Sequence, residues 1–127
     1  MIVGRSGENG ELFFDLELIA ADGENFPVEA LLDTGFTKGW LAINSQDVEE
    51  LNWVLIAPEM EMTTAQGEGT FAIYKGKVIL DKTEFIIAVH VGDGIPEILM
   101  GSQWLEILEL IVNKPRDILT LQFAVTA

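Results

Sequence analysis

The chain has 127 residues, about half of them apolar, which is the size of one domain with a core that needs no staples. It carries no cysteine and one histidine, which removes disulfide and thiol chemistry and disfavours a structural zinc site. A net charge of −14 disfavours nucleic acid and anionic membrane as partners, and no apolar run is long enough for a membrane helix.

In chain order, the pattern predicts a mainly β domain spanning residues 1–127. Leu12-Phe13-Phe14, Leu16, Leu18 and Ala20 lie in a first strand with partial period-two alternation. Asp22-Gly23 is a turn, and the next strand puts Phe26, Val28, Ala30 and Leu32 on one face. Pro27 predicts that part of this strand is an edge. The hairpin delivers Asp33 at its end, in the run Leu31-Leu32-Asp33-Thr34-Gly35. An acid directly after an apolar run is costly unless it is paired, hydrogen-bonded or protonated, so Asp33 is the first candidate for chemistry.

Trp40 to Ile43 reads as a short strand, and Asn44 or Ser45 caps a helical turn over Gln46 to Leu51, aided by Asp47. A second apolar run from Trp53 is expected to stop at Pro58. Residues 59–75 read as a long hairpin with a polar, glycine-rich tip, Ala65-Gln66-Gly67-Glu68-Gly69. Lys77 to Leu80 and Phe85 to Val91 read as the strands of another hairpin, which turns near Asp81-Lys82 and carries His90, read as a non-catalytic strand histidine. Ile98 to Met100 runs into Gly101. A helix is expected over Ser102 to Leu110, capped by Ser102, with Leu105, Leu108 and Trp104 toward the core. Ile118 to Phe123 is the last strand.

Two stretches together carry a resemblance. Ala30-Leu31-Leu32-Asp33-Thr34-Gly35 followed by Trp40-Leu41-Ala42-Ile43 resembles the active-site loop of retroviral-type (retropepsin-like) aspartic proteases. Ile98-Leu99-Met100-Gly101-Ser102-Gln103-Trp104-Leu105 resembles that family's apolar-apolar-Gly strand and following helix, and the glycine-rich hairpin lies between them where the family has its flap. The resemblance covers roughly residues 10–125. It implies a closed β-barrel with a flap hairpin and one short C-terminal helix. It also implies an aspartic endopeptidase that needs no cofactor or metal. Asp33 is then the catalytic residue, Thr34 and Gly35 support its loop, and Gly101 braces it from below. Gln66, Gly67, Glu68 and Gly69 form the flap, and Leu32, Phe36, Ile73 and Ile98 are substrate-pocket walls. One chain supplies one such aspartate, so the expected enzyme is a homodimer acting on an extended peptide or protein substrate.

The departures place this chain nearer non-viral, prokaryote-type relatives. Phe36 and Thr37 stand where the viral enzymes have Ala and Asp. Ser102 stands where they have the Arg that pairs with that Asp, so both ends of the ion pair are exchanged together. No signal peptide is visible, from which a cytoplasmic location is expected. Rival readings are a non-catalytic peptide-binding or structural dimer, a glycosidase-like carboxylate pair of Asp33 with Glu68 or Asp93, and a calcium site at Asp22-Gly23-Glu24 or Asp93-Gly94. Neither acidic turn has the ligand spacing of a calcium loop.

Overall fold

The computed structural model describes residues 1–64 and 67–124, with side chains for all of these except residues 60, 62–64, 67 and 68. The strands are β1 (Ile2–Val3), β2 (Arg5–Ser6), β3 (Leu12–Ile19), β4 (Asn25–Leu32), β5 (Leu41–Asn44), β6 (Val54–Thr64), β7 (Gly67–Leu80), β8 (Thr83–Gly92), β9 (Ile98–Met100), β10 (Leu108–Asn113) and β11 (Ile118–Phe123). One short α-helix, α1 (Ser45–Val48), follows β5. Asn44 is its cap, accepting a bond from the Gln46 N–H.

The main sheet runs β2-β3-β4-β9-β5-β8-β7-β6, and β3 pairs again with β7 through Glu17–Ile79 and Leu18–Val78. That second pairing closes six strands, from β3 round to β7, into a barrel. The fold is therefore mainly β with a closed barrel, as expected. Its core gathers the inward residues of the barrel strands with Trp53, Trp104, Leu108, Leu119 and Leu121. Alternation explains the strands: in β4, Phe26, Val28, Ala30 and Leu32 turn inward while Asn25, Pro27 and Glu29 are exposed. Only Ala30 to Leu32 of β4 reach β9, so Pro27 sits where the outer edge has no ladder to join.

Three expectations need correction. Pro58 does not end its strand. β6 continues to Thr64, with register shifts between Leu55 and Ala57 and between Ala57 and Met60. β6 is an edge strand, and a bulged edge tolerates a residue with no N–H. The stretch from Lys77 to Leu80 is no separate strand but the end of the long β7. The C-terminal helix is not formed either. Ser102–Glu106 is a single 3-10 stretch whose cap position is Gly101, without a side-chain cap bond, and the chain then enters β10. β10 pairs with β11, and β1 adds to the other side of β11, giving a second, three-stranded sheet from the chain's two ends. Leu108, Leu110 and Val112 satisfy a strand period as well as a helical one, and pairing with β11 decides between them.

The β7–β8 hairpin turns at Asp81-Lys82, both at positive φ (51° and 65°), the geometry of a two-residue hairpin loop. Among the described residues no helix is long and apolar enough to cross a membrane.

Candidate active site

β4 and β9 run parallel, with Leu32 opposite Met100. The ladder continues one bond further, from the Asp33 N–H to the Met100 carbonyl at 2.9 Å. The chain then turns: the Phe36 N–H donates to the Asp33 carbonyl at 3.1 Å. The Gly35 N–H donates to the Asp33 side chain, Oδ1, at 2.9 Å. Asp33 is 6% exposed, whereas its neighbour Thr34 is exposed. The carboxyl is thus oriented by the backbone of its own turn, an arrangement open to Ser, Thr, Asn and Asp side chains alone.

The turn is held from behind by the segment after β9. The Gly101 N–H donates to Trp40 O (3.0 Å), Ser102 N–H to Phe36 O (3.0 Å) and Gln103 N–H to Gly39 O (3.2 Å). The Trp104 indole N–H donates to the same Trp40 carbonyl at 2.6 Å, and the two indoles meet edge to face with centroids 4.8 Å apart. Phe85 extends this aromatic row beyond Trp104 and stacks on Phe123 of β11. Gly101 is required by space rather than by dihedral angle: a Cβ there would stand 2.0 Å from the Gly39 carbonyl oxygen. Four N–H donors and an aromatic row thus tie the loop to the barrel.

Phe36, expected to line a pocket, has 0% exposure and is a core side chain. With Ala42, Phe71, Ile95 and Leu99 it forms a second, smaller apolar cluster. Its ring packs so close to Gly39 that a Cβ on that glycine would come within 2.2 Å of it. Leu32 and Ile73 are also buried. Ile98 is half-buried and lines a groove of about 220 Å³ with Leu18, Phe26, Val28 and Leu51, on barrel residues that do not include Asp33.

Of the expected flap residues, Gln66 lies outside the described residues. Gly67, Glu68 and Gly69 begin β7, pairing with Thr64, Thr63 and Met62 of β6. The hairpin is joined to the Asp33 turn through Phe71, which belongs to the Phe36 cluster. His90 also belongs to this junction: its ring meets Phe36 at 5.1 Å and Phe71 at 6.0 Å, both nearly perpendicular. Burial pushes the His90 pKa down, opposed by its hydrogen bond to the Leu41 backbone. Sequence reasoning missed this role because alternation predicts a strand histidine facing away from Val89 and Val91, and here both faces of β8 are covered. Among the described residues no three His, Asp or Glu side chains are placed to hold a metal ion.

The fold has a solved counterpart. The structure is similar to the crystal structure of a retropepsin-like aspartic protease from Rickettsia conorii, with a TM-score of 0.63 and 19% sequence identity. The match covers 98% of this chain and 92% of that one. No family model and no curated protein matches the chain.

Proposed function

We propose that the chain is one half of a homodimeric aspartic endopeptidase, with Asp33 contributed by each copy to a single site. The observation that carries this is the Asp33 turn: a buried carboxyl oriented by the Gly35 N–H, on a loop tied to the barrel by Gly101, in a fold shared with an aspartic protease. One carboxylate of the pair activates a water, and the other, protonated, donates to the scissile carbonyl oxygen. Two like groups at close range share one proton and titrate as a unit. Thr34, exposed on a turn whose flanks are buried, is the residue free to reach the partner's turn as a clamp. Gly35 lies beside it, and the β6–β7 hairpin, with Gly67 and Gly69, serves as the flap over an extended peptide. Phe36 acts as a prop behind the loop and not as a pocket wall.

The second carboxylate must come from another copy, because the sequence holds one Asp33-Thr34-Gly35 triplet. The terminal sheet offers a surface for this: Val3, Ile111, Val112 and Ile118 are apolar and exposed on β1, β10 and β11. Two copies at −14 each repel, so mild acid favours both association and the shared proton.

The test pairs cleavage with association. The unmodified protein is expected to cleave a mixed peptide library faster below neutral pH and to sediment as a dimer. Asp33→Asn should still sediment as a dimer while losing about 10³-fold or more of the cleavage rate. Full activity in a sedimenting monomer would overturn the shared site. A dimer that cleaves nothing from mildly acidic to neutral pH would leave a peptide-binding role instead.

A further inference from the structure

The chain's one histidine stands where the hairpin meets the Asp33 turn. On β8, His90 lies between Ala42 of β5 and Ile73 of β7 in the sheet, and it is 5% exposed. Its Nδ1 is fully buried and has no hydrogen-bond partner, which suits the neutral imidazole with a bare lone pair on that nitrogen.

We propose that His90 is a positioning residue that locks the Phe36 side of the Asp33 turn to the Phe71 side of the hairpin, and that it does so only as the neutral ring. A second proton would create a buried N–H without an acceptor and a charge inside an apolar cluster. Relief comes from parting Phe36 and Phe71, which releases the hairpin from the turn. His90 thereby sets an acid limit on the organised site, opposite in sense to the acid preference of a carboxylate pair.

The charges around the ring do not offset this. β5 (Leu41–Asn44) and the Phe71–Ile73 stretch of β7 bring no ionisable group, and Tyr74 alternates to the other face of β7. Asp33 and Lys38 flank Phe36 in the loop, and Glu97 lies between Ile95 and Leu99 on the remaining wall. None of them enters the balance on His90, which is burial against the Leu41 bond. The folded-state pKa is thus below the ordinary 6.5. The unfolded chain takes up the proton first as pH falls through that value, so stability drops there and stops dropping below the folded pKa.

The proposal rests on the protease reading only for its catalytic readout. His90→Gln keeps a hydrogen-bonding side chain and cannot titrate. Thermal midpoints of the unmodified protein should fall relative to those of His90→Gln as pH drops below about 6.5. The acid limb of peptide cleavage should move to lower pH in the variant. Because the chain has one histidine, its imidazole proton signal in NMR is unambiguous even if the variant does not fold. That signal should titrate below 6.5, with ring signals of Phe36 and Phe71 shifting at the same midpoint. Parallel midpoint curves for the two proteins, or a titration at or above 6.5, would overturn the proposal. If no cleavage is found at all, the protease reading fails, while the midpoint and NMR results still decide the role of His90.

Discussion

The Asp33 turn and the β6–β7 hairpin are held in opposite ways. The turn is short, and its carbonyls at Phe36, Gly39 and Trp40 accept bonds from a neighbouring segment far along the chain. The hairpin is long; β7 joins β8 only from Ala72 onward, so its tip-side end pairs with β6, a sheet edge with Val54, Leu55 and Ile56 exposed. Among its described residues, Phe71 anchors it near the turn in the small apolar cluster. Under the proposed function, the difference separates two tasks. A carboxyl that must meet a partner within hydrogen-bonding reach needs a base that cannot shift, whereas a strand pair that closes over a peptide must be free to move.

Breaking the rigid side should have the largest effect. Gly101→Ala places a methyl group 2.0 Å from the Gly39 carbonyl oxygen, and both are backbone-bound. A loss of about 4 kcal/mol or more is expected, read as failure to fold in a denaturant titration. A folded Gly101→Ala protein of ordinary stability would mean that the loop is not seated on this segment. Phe71→Ala empties a buried ring site and should cost about 3 kcal/mol, with backbone hydrogen exchange accelerated in β6 and β7 but not at Asp33 to Phe36. Equal acceleration in both places would erase the contrast between them.

Trp104→Phe keeps a ring against Trp40 but removes the indole N–H from the Trp40 carbonyl. About 1–2 kcal/mol of stability should be lost, seen as a lower denaturant midpoint with unchanged slope. The smallest effect belongs to the outer surface. Arg5 bonds Glu29 at 2.7 Å, which raises the Arg5 pKa and lowers that of Glu29, but the pair is solvent-exposed. Arg5→Ala should leave the melting temperature unchanged within error at moderate salt. A clear drop would show that β2 is tied to the barrel more tightly than its short ladder implies.

How much of this was legible depended on whether the signal was local. The Asp33 turn was readable because a carboxyl, a hydroxyl residue and a glycine after an apolar strand suit a tight turn and little else. The hairpin at Asp81-Lys82 and the cap at Asn44 are likewise local chemistry. The burial of Phe36 was not legible, because sequence distance from Asp33 says nothing about which side of the turn a ring enters. Gly39 leaves the space into which that ring folds. The stretch after Gly101 was misread because Trp104, Leu105, Leu108 and Leu110 fit a helix as well as a strand.

The sequence by itself determined that the chain is β-rich and strongly acidic, with an acid directly after an apolar strand. Those properties follow from composition, alternation and turn chemistry, each confined to a few neighbouring residues. Only the tertiary structure decided that Leu108–Asn113 is a strand, that Phe36 and His90 share a cluster with Phe71, and that Gly101 lies against Gly39. These are contacts between segments far apart in the chain, and their strength comes from burial and close approach that exist only after the barrel has closed.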